Sequence, residues 1–165
     1  MTCWKPTSLL RICLIRRGIR GLALAYDYLQ LLKDHGMIIG EYDPSKVDGL
    51  PLQWFWDRQV YIDFRGDLYI SRYNVTLGKR VEIITATHDM SSGELGPTIP
   101  KKVHIHSHVY VGNRAKLYNC TLEHHCVVAC GAVVRNMTVR SYTMVEGNPA
   151  RVYKEYIDGA WRKVD

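Results

Sequence analysis

Between Val103 and Ala150 apolar positions recur about every six residues. Cut into sixes, the stretch is VHIHSH VYVGNR AKLYNC TLEHHC VVACGA VVRNMT VRSYTM VEGNPA. A small aliphatic or Thr residue opens nearly every hexad, and Ile105, Val111, Leu117, Leu122, Val128 and Val134 form a second apolar column. Such a period fits neither an amphipathic helix nor a lone strand. One hexad makes one short flat strand and a corner. Three make a triangular coil, and stacked coils bury the aliphatic columns inside a prism. The pattern therefore predicts an all-β solenoid, a parallel β-helix with coils of about eighteen residues. One step is short, because Leu117 and Leu122 are five apart. A missing residue near Asn119 and Cys120 is tolerable at a corner, whereas inside a strand it would turn the inward column to solvent.

Upstream, hexads return as VTLGKR and VEIITA, and the strand pattern begins at Val60. Ile83 to Met90 then leads into Ser91–Pro100, rich in Gly, Ser and Pro, which reads as a loop projecting from a corner. Met37 to Arg58 reads as a connector with short strands, its turns marked by Asp43-Pro44 and Asp48-Gly49-Leu50-Pro51. Trp54, Phe55 and Trp56 are expected as packing at the end of the prism. Met1 to Tyr26 carries Lys5, Arg11, Arg16, Arg17 and Arg20 and no acid. It predicts a helix running on to about Lys33, with His35-Gly36 as its stop. The arginines break every apolar run too early for a bilayer span. Two uses remain open: a cap over the open end of the prism, and peripheral contact with an inner membrane. The organisation expected is an N-terminal helix and connector over 1–58, a β-helix domain over 59–156 with a loop at 87–102, and a short tail over 157–165.

Composition adds bounds. The chain has 165 residues, 47% of them hydrophobic, which allows one domain with a proper core. A formal charge of +6 points to an anionic partner. The basic residues cluster at the N-terminus rather than alternating with exposed aromatics, which argues against nucleic acid. The cysteines (Cys3, Cys13, Cys120, Cys126 and Cys130) form no C-x-x-C pair, and a reducing cytoplasm is the expected compartment. The N-x-T triplets at Asn74, Asn119 and Asn136 are read as chance.

The hexads, the run I-I-T-A-T-H-D at 83–89 and G-N-P-A-R at 147–151 resemble the hexapeptide-repeat acyltransferases. Within these the chain is most similar to the sugar and polysaccharide O-acetyltransferases related to galactoside and maltose acetyltransferases. The resemblance covers roughly Val60 to Tyr156. It implies a left-handed β-helix, a homotrimer, and acetyl-CoA bound in the groove between neighbouring prisms. By the T-H motif it implies His88 as general base. It implies a place for Asp63 in the acceptor site, beside the alternative of a salt bridge to Arg65. Gly112-Asn113 matches the family's I-G-S/T-x-A, and Ala129-Cys130-Gly131 matches its G-A-G turn; Asn113, Ala129 and Cys130 are thereby placed on the pantetheine arm. Arg151 and Lys154 match basic positions that meet the nucleotide phosphates. The family's V-T-K-D segment departs here, with Asn136 in place of lysine and Arg135 or Arg140 able to restore the charge.

The chemistry is consistent with these residues. Transfer of an acetyl group to a sugar hydroxyl, or to the nitrogen of an amino sugar, needs a base at neutral pH, and imidazole suits it. No metal is expected on this reading. The alternating His104, His106 and His108, with His124, His125 and Cys126 about one coil later, keep open a zinc enzyme like the γ-class carbonic anhydrases. A non-catalytic trimeric scaffold is the further alternative.

Overall fold

The apolar columns become two largely parallel sheets. The computed structural model describes residues 28–48 and 50–164. Its larger sheet joins β1 (Ile38–Ile39), β2 (Tyr61–Asp63), β5 (Glu82–Ile84), β10 (Lys116–Leu122), β8 (Lys102–Ile105) and β3 (Asp67–Ile70), with β12 (Val133–Val139) also on β10. The second runs β4 (Thr76–Leu77), β9 (Tyr110–Val111), β11 (Val127–Val128), β13 (Thr143–Gly147), β14 (Ala150–Ile157) and β15 (Ala160–Lys163). An antiparallel pair, β6 (Ala86–His88) and β7 (Thr98–Pro100), stands apart from both. The fold is mostly β, and its parallel register runs across strands far apart in sequence.

That register corrects the expected repeat. Val111 pairs with Val128 and Val128 with Val145, steps of 17 residues rather than eighteen. Leu117 with Val134 and Leu122 with Val139 repeat the same step. The missing residue falls at a bend inside β10 and again inside β12. Asn119 and Asn136 take left-handed φ of 45° and 53° there, a conformation that asparagine tolerates better than most residues. The Asn119 amide donates to Asn136 Oδ1 at 2.9 Å. Asn74 takes φ of 53° as well, so all three N-x-T triplets mark left-handed corners. After Asn119 the inward residues become Cys120, Cys126 and Ala132, all buried, while Thr121, Val127 and Val133 are only half-buried. Leu117 is fully buried between Ile83 and Val134 in the register. Leu117→Ala is expected to lower unfolding free energy by about 2–5 kcal/mol in urea titrations, because neighbours on both sides cannot close the cavity.

The ends differ from expectation. Residues 28–34 are helical, and Gly36 (φ 63°) ends the helix with Met37 N–H bonded to the Leu32 carbonyl. The basic stretch over 1–27 lies outside the described residues. The expected short strands of the connector are largely replaced: Pro44–Val47 is a 3-10 turn and Leu52–Arg58 a helix. Leu52 and Phe55, three apart, share its buried face, and Pro51 sets an extended residue before it. Phe55 is 1% exposed, with Trp54 and Trp56 packed on the same core. Residues expected as a tail instead continue the second sheet. Glycines at 147 and 159 take positive φ, which reverses the chain and makes β14 and β15 antiparallel additions to β13.

Candidate functional site

The arm that carries His88 is knotted to the body at Thr85. This buried hydroxyl donates to the Asp63 carbonyl at 2.6 Å and accepts from Gly66 N–H at 2.9 Å. The returning strand closes the base, with Lys101 N–H on the Thr85 carbonyl and Asp67 N–H on the Lys101 carbonyl. Beyond it, Ala86–His88 and Thr98–Pro100 pair back to back, so the expected loop is a short hairpin. At its neck Gly96 N–H bonds the Asp89 carbonyl at 2.7 Å. A Cβ on Gly96 would lie 2.7 Å from that oxygen, so only glycine fits. The Gly96 carbonyl in turn lies 3.1 Å from His88 Nδ1. A carbonyl only accepts, so Nδ1 carries the proton and the neutral ring keeps its lone pair at Nε2.

Asp63 stands beside this arm, fully buried. Its Oδ1 accepts from the Arg65 N–H and Nε, and its Oδ2 from an Arg65 Nη, at 2.9–3.0 Å. The bidentate pair occupies both oxygens and fixes the guanidinium at the surface. The salt bridge to Arg65 is therefore the contact that Asp63 makes.

Before the start of β5, at the other end of the strand, lies a surface cleft of about 770 Å³, lined by Asp57, Gln59, Lys79, Arg80, Asn113, Arg114, Cys130 and Gly131. Asn113 Oδ1 accepts from Lys79 N–H at 2.8 Å, and Gly131 N–H bonds the Asn113 carbonyl. Ala129 donates its N–H to Val145. Gly112 has no room for a side chain, since a Cβ would meet Cys130 N at 2.5 Å. The smallness of Gly112 thus serves the stacking of neighbouring backbones, while Gly131, with φ 70° and open space beside it, is a corner on the cleft. Arg151 pairs in register with Glu146, one residue beyond Val145. Lys154 follows on the same strand, its Nζ 4.9 Å from the Tyr153 ring centre. Arg135, exposed, pairs with Tyr118 on the larger sheet. These three cations are not among the cleft's lining residues. Lys79, Arg80 and Arg114 are, and the sequence reading passed over them. Their signal was the repeated G-K-R and G-N-R of equivalent hexads.

The histidines stack instead of converging. His106 lies 5.0 Å from His124 between ring centres, and His108 4.5 Å from His125, which stacks in turn on Tyr142. His104 bonds Asp67 and His124 bonds Ser107. Burial, then the neighbouring His124 and His104, holds His106 below the ordinary imidazole range. Among the described residues no group of three or more His, Cys, Asp or Glu is arranged to hold a metal ion.

No protein-family model and no curated protein matches the chain. Solved structures do. A maltose O-acetyltransferase from Clostridium difficile 630 shares 27% identity over 54% of this chain and 47% of its own, with a TM-score of 0.47. A hexapeptide-repeat-containing acetyltransferase from Vibrio cholerae, complexed with acetyl coenzyme A, shares 30% over 52% and 48%, with a TM-score of 0.46. The chain is similar to hexapeptide-repeat acetyltransferases. It spans about half the length of these two structures.

The thiols divide by environment. Burial pushes Cys120 and Cys126 up to about 12 from an ordinary 9.0, whereas Cys130 is exposed on the cleft. Between those values the folded chain keeps protons that the unfolded chain has lost, so stability must fall as pH rises from about 9 towards 12. Urea midpoints are expected to drop between about pH 8 and pH 10, and to drop less in a Cys120→Val/Cys126→Val variant.

Proposed function

We propose that the chain is an acetyl-CoA-dependent O-acetyltransferase acting on a sugar hydroxyl of a saccharide or surface-polysaccharide precursor. The observation that carries this reading is the hold of the Gly96 carbonyl on His88 Nδ1, which leaves the Nε2 lone pair to act as a base. Acetyl-CoA supplies an activated thioester carbonyl. His88 Nε2 accepts the proton of the hydroxyl as its oxygen attacks, then returns it to the departing thiolate. No acyl-enzyme is needed, and positioning contributes much of the rate. Asp63 acts as a positioning residue, fixing Arg65 beside the arm for the acceptor.

The donor fits the corner cleft, where Lys79, Arg80 and Arg114 offer positive charge and Asn113, Cys130 and Gly131 form a wall without bulk. Arg135, Arg151 and Lys154 supply further charge outside it. His88 and this cleft lie beyond opposite ends of β5. The exposed Met90 (57%) and Leu95 (71%) on the arm offer apolar contact for a neighbour. The reading therefore includes a left-handed parallel β-helix assembled as a homotrimer in the cytoplasm. A lipid-linked acceptor would give the basic N-terminal stretch a use at the inner membrane. Among the described residues no helix is long and apolar enough to cross one.

The test is acetyl-CoA titration by calorimetry, followed by thiol release over a panel of sugars and amino sugars. Micromolar binding with acceptor-dependent thiol release is expected. Absence of acetyl-CoA binding would end the reading.

A further inference from the structure

The corner cleft carries an arrangement that the proposed mechanism leaves unused. Arg80 and Arg114 occupy equivalent left-handed corners, with φ of 58° and 59°, of adjacent strand rows. Gly131 takes the same place one row further on, with φ 70°. Rows of a parallel sheet lie about 4.8 Å apart, so the two corner arginines rise from the surface one row apart. Arg80 is braced, its Nε donating to Gln59 Oε1 at 3.0 Å, which leaves its Nη groups for another acceptor. Arg114 N–H bonds the Lys79 carbonyl at 2.9 Å, and Lys79 N–H bonds Asn113 Oδ1, so the two cationic corners are tied together. Asp57 alone among the lining residues opposes them.

We propose that this cleft is a diphosphate-binding site, with the guanidinium groups of Arg80 and Arg114 as its main contacts and Lys79 beside them. Planar guanidinium groups engage phosphoryl oxygens bidentately. One arginine serves one phosphoryl group; two on adjacent rows suit two linked ones. The surroundings say where the rest of such a ligand goes. A smaller groove of about 360 Å³ shares Gln59 and Arg80 with the cleft and continues past Tyr61 and Glu82 to Ile84. Ile84 is four residues from Arg80, roughly 13 Å along an extended strand, and it immediately precedes the Thr85 base of the His88 arm. A diphosphate held at the corner therefore lets an attached organic chain lie along β5 towards His88. The inference deepens the reading of this cleft as the donor's site. It moves the diphosphate contact from Arg135, Arg151 and Lys154 to Arg80 and Arg114.

The left-handed corners provide a clean variant. Asparagine is at ease at such φ values, so Arg80→Asn/Arg114→Asn removes both guanidinium groups without disturbing the backbone. Inorganic pyrophosphate is titrated into the full chain at low and moderate salt. The expected result is pyrophosphate binding that weakens at least 30-fold in the double variant, with an unchanged or higher Tm. Equal affinity in the variant, or orthophosphate binding as tightly as pyrophosphate, would overturn the proposal. So would a loss seen only in Arg135→Gln/Arg151→Gln. Displacement of pyrophosphate by CoA but not by a uridine diphosphate sugar assigns the site to the acyl donor; the reverse assigns it to an activated sugar acceptor. Either displacement supports the site itself. Pyrophosphate binding needs no turnover, so the site can stand even where the acetyltransferase reading fails.

Discussion

His88→Ala is expected to slow acceptor-dependent thiol release by about 10²–10⁴-fold, the usual worth of a positioned general base. Affinity for acetyl-CoA should change by no more than about twofold, because in the proposed mechanism the imidazole acts on the acceptor's proton and not on ground-state binding of the donor. With Nδ1 committed to the Gly96 carbonyl at 3.1 Å, only Nε2 can take a proton. Gly96→Ala offers a second view of the same contact, since its Cβ would press on the Asp89 carbonyl at 2.7 Å and shift the neck that orients the ring. It should lower kcat while leaving the imidazole in place. The measurement is thiol release at saturating acetyl-CoA beside calorimetric affinity. A His88→Ala variant with wild-type turnover would remove the base from the mechanism.

Gly66→Ala is the substitution with the largest expected structural effect. A Cβ there would stand 1.9 Å from the Thr85 carbonyl oxygen and 2.4 Å from that of Lys101. Both are backbone atoms, locked by the Lys101-to-Thr85 hydrogen bond, so neither can retreat as a side-chain tip would. Relief requires opening the base of the His88 arm or losing the bond from Gly66 N–H to Thr85 Oγ1. The expected loss is about 3 kcal/mol or more, at the upper end for overpacking, read from urea midpoints. Gly131→Ala is the comparison. Nothing lies within 4 Å of its Cβ position, and φ is 70°. Only the left-handed strain applies, about 1–2 kcal/mol. Similar losses for the two would show that the arm's base is looser than its hydrogen bonds require.

Much of the fold was legible because the apolar columns recur inside the strands of both parallel sheets. Ile105, Val111, Leu117, Leu122, Val128 and Val134 are fully buried, and period-two alternation places such residues inward whatever the corners do. The step of 17 residues between rows was not legible, because apolar spacing constrains strands and is nearly silent on corners. Asn119 was visible as a short step. Asn136 was not, since Val133 and Val139 kept the hexad frame in apparent phase across it. The helix Leu52–Arg58 was missed for a similar reason, as seven residues hold too few turns to show a period.

The site divides in the same way. By itself the sequence determined which residues are present and the order of their elements. A histidine precedes a glycine-rich hairpin, and G-K-R and G-N-R recur in equivalent hexads. Local chemistry suffices there, because periodicity and turn residues act over a few positions. Register and packing, by contrast, hold Asp63 on Arg65, set the Gly96 carbonyl on His88 Nδ1 and raise Arg80 and Arg114 on adjacent rows of one corner. These contacts depend on register between strands many residues apart. That register is set by the packing of the whole core, which no local stretch of sequence encodes.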